Sequence, residues 1–227
     1  FSGLKGNRIN IRSADDSASI KKMIALKKKY PSLKILVSLG GWGGCETCSD
    51  VFNSPEGIND FAKSVKELRN YFKIDGIDLD WEYPVIKGYP GHTYRKEDAV
   101  NFTSLVKTLR AINDPSFIIS FAAGGFTNYI DSSIQWKEII KYVDFINIMS
   151  YDLVHGYSET SGHHTPLYST PQQKESTDNA VNMLIKKGVP ENKLIIGGAF
   201  YGRFFKINEG NKVDLYQPCK FSHGFSF

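Results

Sequence analysis

Residues 74–84 read Ile-Asp-Gly-Ile-Asp-Leu-Asp-Trp-Glu-Tyr-Pro, a run of acids alternating with apolar residues. Asp78, Asp80 and Glu82 are spaced by two, so on a β-strand their side chains share one face. The apolar residues between them take the opposite face, as expected of a strand packed beneath helices. Three neighbouring carboxylates in a core are unfavourable unless they share protons and hydrogen bonds. The stretch therefore predicts a buried strand that carries chemistry.

Proton transfer is the chemistry that this spacing favours. Asp78 and Asp80 can share one proton, and the remaining negative charge would hold Glu82 in the protonated form that a general acid needs. The alternative is a solvated acidic loop. The strand-period apolar residues argue against that alternative.

Composition places the chain among globular proteins and excludes some partners. It has 227 residues, of which 41% are hydrophobic and 23% charged, enough for one good core. The net charge of +4 comes from scattered Lys and Arg, without a basic stripe interleaved with aromatic residues, so we expect no nucleic-acid partner. No apolar run approaches the roughly 20 residues of a membrane span. The chain starts at Phe1 without a signal peptide, and we expect a processed or trimmed piece.

The cysteines leave several possibilities open. Cys45 and Cys48 form a Cys-x-x-Cys pair, and Cys219 lies far away. A local disulfide, free thiols, and metal or redox chemistry all fit the pair, although zinc would want a second Cys or His pair. Adjacent His163 and His164 cannot easily face one metal ion. We therefore predict neither a metal nor a cofactor.

Other candidate residues follow predicted strands. The strand around residues 34–39 ends in Gly40 and Gly41, where the backbone can approach a neighbour closely, and then Trp42. Trp42 offers a flat face on which a sugar ring can stack, or it folds back onto the core. Farther along, Arg203 is suited to a carboxylate or a sugar hydroxyl, or to a surface salt bridge.

The order of elements predicts an α/β fold. Strands begin near residues 35, 74, 116, 144 and 194, with a helix between each pair. Apolar spacing predicts helices over residues 18–30 and 55–72, and the last strand is predicted over residues 193–200. Every motif lies at the carboxyl end of a strand, as in a (β/α)8 TIM barrel. Such a barrel typically needs about 250 residues, and only five strands are found here. We expect an incomplete barrel, strands three to seven, over residues 1–210, and the start of a small α+β insertion over residues 211–227.

The acidic stretch, with its trailing Tyr83 and Pro84, resembles the signature of the family 18 glycoside hydrolases, the chitinases. Three further motifs resemble the same family: Ser38-x-Gly40-Gly41 followed by Trp42, Met149-x-Tyr151-Asp152, and Tyr201-Gly202-Arg203. The family's first two strands and its last, which carries a Trp, find no match in this sequence.

The resemblance implies hydrolysis of β-1,4-linked N-acetylglucosamine polymers with retention, assisted by the substrate's own acetamido group. Glu82 is then the general acid, Asp80 orients the acetamido N–H, Asp78 shares a proton with Asp80, and Tyr151 holds the acetamido carbonyl. Two further sets are implied. The sugar-binding residues are Trp42, Tyr83, Met149, Asp152, Tyr201 and Arg203, and the motif-supporting residues are Ser38, Gly40, Gly41 and Asp75.

Chitin or a chito-oligosaccharide is the expected partner of a monomeric protein, without cofactor, metal, nucleic acid or membrane span. The resemblance also implies secretion to a periplasmic or extracellular location. Two alternatives stay open: a non-catalytic chitin-binding lectin of the same fold, and an endo-β-N-acetylglucosaminidase that acts on glycoproteins. The presence of Glu82 argues against the lectin.

Overall fold

A computed structural model of the chain describes residues 2–226. Within that range the strands are β1 (Gly3–Lys5), β2 (Arg8–Asn10), β3 (Leu36–Gly40), β4 (Gly76–Asp80), β5 (Ile118–Gly124), β6 (Phe145–Met149), β7 (Leu194–Ile196), β8 (Tyr201–Ile207) and β9 (Cys219–Ser226). The helices are α1 (Ala14–Leu26), α2 (Cys48–Val51), α3 (Pro55–Phe72), α4 (Asp98–Ile112), α5 (Thr127–Ser132), α6 (Trp136–Ile139) and α7 (Thr177–Lys186).

Five strands form a central sheet in the order β3-β4-β5-β6-β7. The first three pair in parallel, with Ser38 opposite Asp78 and Asp78 opposite Ser120. Helices separate successive strands along the chain, so the element order confirms the predicted partial (β/α)8 barrel. Across residues 2–226 no strand pairing joins β3 to β7, and the sheet stays open.

The chain divides into two compact units. The first comprises Phe1–Ala122 and Asp131–Ile146, and the second comprises Ala123–Ile130 and Asn147–Phe227. The division falls inside β5 and β6. The boundary predicted at residues 210 and 211 lies between β8 and β9, which pair with each other as an antiparallel hairpin. The assignment of residues 211–227 to an insertion domain remains a prediction.

Aromatic side chains build much of the first unit's core. Trp81, directly after β4, lies between Phe52 and Phe102, with ring centroids 5.5 and 6.3 Å away. Phe102 on α4 continues to Phe121 on β5 at 5.2 Å. All four side chains are buried, which removes a large apolar area from water and fixes the helices against the sheet.

Helix α3 begins and ends where the sequence predicts. Ser54 caps it by accepting a 3.0 Å hydrogen bond from the Gly57 N–H, Pro55 is the first helical residue, and Lys73 ends it in a left-handed conformation. Helix α1 starts four residues before the predicted Ala18. Its cap is Ser13, which accepts a 3.0 Å hydrogen bond from the Asp16 N–H.

Near each end of the chain two strands form an antiparallel pair, β1 with β2 and β8 with β9, and the five predicted strands include neither pair. Ser2, just before β1, makes a parallel bridge to β3, and its N–H donates a 2.6 Å hydrogen bond to the Ser38 carbonyl.

In the second unit the strand predicted over residues 193–200 is shorter, because β7 ends at Ile196. Tyr201 opens β8 instead.

Cys45 and Cys48 are joined by a disulfide, which selects the first of the three possibilities left open by the sequence. Cys219 is a buried free thiol. Among the described residues no group of three or more His, Cys, Asp or Glu side chains is arranged to hold a metal ion. None of the described helices has the length and apolar character needed to span a bilayer.

The register of β4 against β5 generates the first prediction. A Cβ atom on Gly76 would lie 2.2 Å from the Ile118 carbonyl oxygen, a backbone atom that cannot move alone. We expect Gly76→Ala to lower the free energy of unfolding by about 2 to 3 kcal/mol, as overpacking of a core does. Urea denaturation followed by circular dichroism measures this.

Gly198→Ala is the matched control, because its Cβ would meet nothing closer than Phe200 at 3.8 Å. That variant should stay within about 0.5 kcal/mol of wild type. Equal stability of the two variants would contradict the described register.

Candidate active site

Asp78 lies in the middle of β4 and is held from both sides by serine hydroxyls. Ser38 on β3 donates to its Oδ2 at 3.0 Å, and Ser120 on β5 donates to its Oδ1 at 2.6 Å. The parallel register dictates this, because both serines stand directly opposite Asp78. The two hydrogen bonds fix the carboxylate plane. Ser38 belongs to the predicted site, whereas Ser120 does not stand out in the sequence.

Asp80 ends β4 and is buried, with 8% of its surface exposed. Among the described residues its Oδ1 atom has no hydrogen-bond partner. Burial, and secondly the nearby charge of Asp78, raise the pKa of Asp80 to about 7. Asp80 is therefore partly protonated near neutral pH, and its Oδ1 remains available as an acceptor.

Glu82 and Tyr83 follow Trp81 just beyond the end of β4, and both are half-buried. The peptide bond between them is cis. The loop that they open folds back against them, because a Cβ on Gly88 would lie 2.1 Å from the Glu82 carbonyl oxygen. Only glycine permits that approach. The backbone at Glu82 is therefore enclosed by its own loop.

The Gly40-Gly41 pair brings the end of β3 against Asp80. Gly40 has φ +104°, and a Cβ there would lie 2.2 Å from the Asp80 carbonyl oxygen, so glycine is required. The Gly41 N–H donates a 2.9 Å hydrogen bond to the same oxygen. Trp42 comes next and is 51% exposed, which excludes the alternative that it folds back onto the core.

Tyr89 extends the aromatic surface that begins at Trp42. The two rings meet edge to face at 5.5 Å, and His92 lies 4.9 Å beyond Tyr89. Tyr89 is exposed, like Trp42. The sequence marks the Pro-, Gly- and Tyr-rich loop over residues 84–95 as a long loop typical of function, but it does not single out Tyr89.

Asp75, the first acid of the motif, lies before β4 at the opposite end of the strand from Asp80. Lys27 binds both carboxylate oxygens at 2.8 Å, and the Ile35 N–H donates to Oδ2 at 2.8 Å. Burial acts to raise the pKa of Asp75, but the Lys27 hydrogen bond, the Ile35 N–H and the charges of Lys27 and Lys34 together lower it. Asp75 thus ties the end of α1 to the sheet.

The second unit gathers its own polar cluster around Asp152, a residue with φ +55°. Tyr201 donates a 2.5 Å hydrogen bond to its carboxylate, and Arg203 forms an ion pair with it. His164 Nδ1 accepts a 3.1 Å hydrogen bond from the Asp152 N–H. The predicted residues Asp152, Tyr201 and Arg203 are therefore in contact, and the ion pair of Arg203 lies within this cluster.

Electrostatics keep two members of this cluster neutral. Burial, then the hydrogen bond to Asp152, raise the pKa of Tyr201. Burial, partly opposed by the charge of Asp152, lowers the pKa of His164, whose Nε2 atom has no hydrogen-bond partner among the described residues. Neutral His164 can accept from the Asp152 N–H, whereas an imidazolium could not.

Tyr151 and Met149 complete the second unit's share of the predicted residues. The rings of Tyr151 and Tyr201 meet edge to face at 6.1 Å, and Tyr151 is half-buried. Met149 is the last residue of β6 and is also half-buried. Each unit thus brings its own predicted residues together, with acids and glycines in the first and with tyrosines, Asp152 and Arg203 in the second.

Comparison with known proteins shows the family. The sequence profile described as Glycosyl hydrolases family 18 matches residues 1–225, and the chain belongs to that family. Chitinase A1 of Niallia circulans is 32% identical over 221 residues, which cover 89% of this chain and 31% of that protein. The chain spans about a third to a half of the length of the curated relatives that it matches.

Solved structures agree with this assignment. Chitinase ChiW from Paenibacillus sp. str. FPU-7 superposes with a TM-score of 0.86 at 34% identity, over 96% of this chain and 29% of that one. A family 18 N-acetylglucosaminidase from Paenibacillus barengoltzii gives a TM-score of 0.86 at 32% identity, over 98% of this chain and 68% of that one. The recognition of the family from four short motifs is therefore confirmed.

The environment of Asp80 generates the second prediction. The folded chain holds the Asp80 proton at pH values where the unfolded chain has lost it, so this group's contribution to stability is greatest at low pH and declines as pH rises through the folded pKa. Each pKa unit corresponds to about 1.4 kcal/mol. The rise from 3.8 to about 7 therefore destabilises the fold by at most about 4 kcal/mol at alkaline pH.

Asp80→Asn removes this titration, and the variant should gain stability over wild type as pH increases from about 4 to about 8. Urea denaturation across that range measures the gain. Glu46→Gln, which removes an exposed carboxylate in the same unit, should keep the wild-type pH dependence. A parallel pH dependence of wild type and Asp80→Asn would refute the raised pKa.

Proposed function

We propose that the protein hydrolyses β-1,4-linked N-acetylglucosamine polymers, chitin and its oligosaccharides, with retention and with Glu82 as general acid and base. The observation that carries this is Asp80: a buried carboxyl that retains a proton near neutral pH and has an unpaired oxygen, two residues before Glu82. The names of two relatives, Chitinase A1 and chitinase ChiW, support the substrate class.

In the first step Glu82 donates its proton to the glycosidic oxygen, which leaves with the electrons of the C1–O bond. The carbonyl oxygen of the substrate's acetamido group attacks C1 from the other face, giving an oxazolinium ion. Water then attacks C1, the bond between C1 and the acetamido oxygen breaks to restore the acetamido group, and the attacking water loses a proton to the Glu82 carboxylate, which restores the acid. Two displacements at C1 give retention.

Asp80 acts on the acetamido nitrogen in this proposal. The N–H becomes more acidic as the carbonyl oxygen attacks, and the unpaired Oδ1 is an acceptor for it. Asp78, fixed by Ser38 and Ser120, takes the second position in the proton-sharing pair. A rigid Asp78 keeps Asp80 aligned while the charge moves.

The remaining residues bind sugar. Trp42 presents an exposed ring at the end of β3, and Tyr83 follows Glu82. In the second unit Tyr151 would hold the acetamido carbonyl. Asp152, already bound by Tyr201 and Arg203, can accept from a sugar hydroxyl through a spare lone pair, and Met149 adds apolar contact. We expect a secreted monomer that uses no cofactor.

An N-acetylglucosaminidase is the second candidate, because the Paenibacillus barengoltzii enzyme of that name matches 98% of this chain. Digestion of chitin, of chito-oligosaccharides and of a high-mannose glycoprotein, with product analysis by mass spectrometry, separates the activities. Release of single N-acetylglucosamine units would favour the N-acetylglucosaminidase, and cleavage of the glycoprotein alone would favour the endo-β-N-acetylglucosaminidase. Binding of chito-oligosaccharide without cleavage would favour the lectin.

Glu82→Gln generates the third prediction. The amide cannot donate the proton to the leaving oxygen, so we expect kcat on a chromogenic chito-oligosaccharide to fall by about 10²- to 10⁴-fold. The affinity for the same oligosaccharide, measured by calorimetry, should stay close to wild type, since the amide preserves shape.

Glu46→Gln serves as the control here too, because Glu46 is an exposed acid whose loss should leave turnover unchanged. Wild-type turnover by Glu82→Gln would remove Glu82 from the mechanism.

A further inference from the structure

Asp98, the first residue of α4, is a fully buried acid that the mechanism above does not use. Ser49 on α2, also fully buried, donates to its carboxylate, with oxygen distances of 2.8 and 3.0 Å. The Arg95 N–H donates to Oδ2 at 2.7 Å, and the Val85 N–H lies 3.4 Å from the same atom. A side chain at the start of a helix thus receives donors from two other segments.

Arg95 supplies the opposite charge to this network. Its Nη1 donates to Ser49 Oγ at 2.8 Å, and its Nη2 pairs with Asp50 at 2.5 Å. Arg95 therefore joins Asp98 to α2 through Ser49 and Asp50. Burial raises the pKa of Asp98 above its ordinary value, and the hydrogen bonds from Arg95, Ser49 and Val85 with the charge of Arg95 offset that rise only in part. The network therefore partly compensates a carboxyl that water does not reach.

The network connects the two loops that carry Trp42 and Glu82. Val85 lies three residues after Glu82 and has φ +69°, a conformation that β-branched residues rarely adopt without outside support. Its N–H is directed to Asp98. On the other side, α2 begins at Cys48, whose disulfide to Cys45 ties it to the loop after β3. The hydrogen bonds of Asp98 thus bridge both loops within one unit.

We propose that Asp98 is a positioning residue that fixes the loop after Glu82 to α2 and so sets the direction of the general acid. This inference rests on the proposed function. It assigns Asp98 no contact with the substrate, and its effect on turnover passes through the backbone of residues 82–85.

The test compares Asp98→Asn with Asp144→Asn in the full protein. Asp144 makes a similar network at the other end of the sheet, where it binds Arg110 at 2.6 Å and the Ile119 N–H at 2.8 Å. Both substitutions weaken a carboxylate, arginine and backbone network, but only the first network holds the loop after Glu82. Thermal stability, kcat, KM and amide hydrogen exchange are measured for each variant.

For Asp98→Asn we expect kcat to fall by about tenfold or more with KM within about twofold, because a misplaced acid weakens the transition state more than the bound substrate. Exchange at the Val85 and Arg95 amides should accelerate by about tenfold. Asp144→Asn should lose thermal stability and yet keep kcat within about twofold when assayed below its Tm. If Asp98→Asn does not fold, Ser49→Ala, which removes one donor, should show the same kcat effect at smaller size.

Two results would overturn the inference. One is faster exchange in Asp98→Asn with kcat unchanged, and the other is a loss of kcat that follows Tm equally in both variants. If the wild-type protein leaves chito-oligosaccharides intact, the proposed function is wrong, and so is the proposed effect of Asp98 on turnover. In that case the exchange measurement still decides whether Asp98 holds the loop.

Discussion

The placement of two carboxyl groups on one face of a strand, one buried and one half-buried, is the constraint on which the rest of the structure depends. Asp78 and Asp80 share that face of β4, where water stabilises two charges poorly. The parallel neighbours compensate one of them, because Ser38 and Ser120 stand in register with Asp78. Asp80, whose pKa is raised to about 7, keeps part of its protonated population near neutral pH. A structural strand would gain nothing from this arrangement, whereas an acid and base catalyst gains a proton that is available near neutral pH.

Two glycines let the neighbouring loops pack closely against the backbone at the end of β4. Gly40 lets the end of β3 contact the Asp80 backbone, and Gly88 lets the loop after β4 contact the Glu82 backbone. The second unit also contains a compensated carboxylate, that of Asp152, which pairs with Arg203 and accepts a hydrogen bond from Tyr201. In each unit a carboxyl group to which the proposed function assigns a role is held by side chains from other elements.

Sequence patterns predict the elements well where the determinants are local. α3 begins and ends as expected because its cap, its Pro and its apolar spacing all lie within the helix itself. The start of α1 was wrong because Ser13 lies outside the apolar pattern used to find the helix. The strand ending at Phe200 was wrong as well. Its apolar run, Leu194 to Ile196, is followed by small residues that leave the sheet before β8 begins.

Contacts between residues far apart in the chain cannot be predicted from local sequence patterns, because they form only in the folded structure. Ser120 lies 42 residues from its partner Asp78, Tyr89 lies 47 residues from Trp42, and Asp98 lies 49 residues from Ser49. From the sequence without the structure, Asp98 would be interpreted as an acid in the first turn of a helix. Its burial and its donors follow only once β3, β4 and their loops are adjacent. The four family motifs, by contrast, are contiguous, and their recognition is confirmed by the match over residues 1–225.

The ionisation of Asp80 tests the central claim most directly. Carbon-13 NMR of the side-chain carboxyl groups, with the Asp80 signal assigned from Asp80→Asn, follows this group across the pH range. The account predicts a midpoint at about 7. A midpoint near 4, the ordinary value for an aspartic acid, would show Asp80 ionised throughout the neutral range and would contradict the proposed proton-sharing pair.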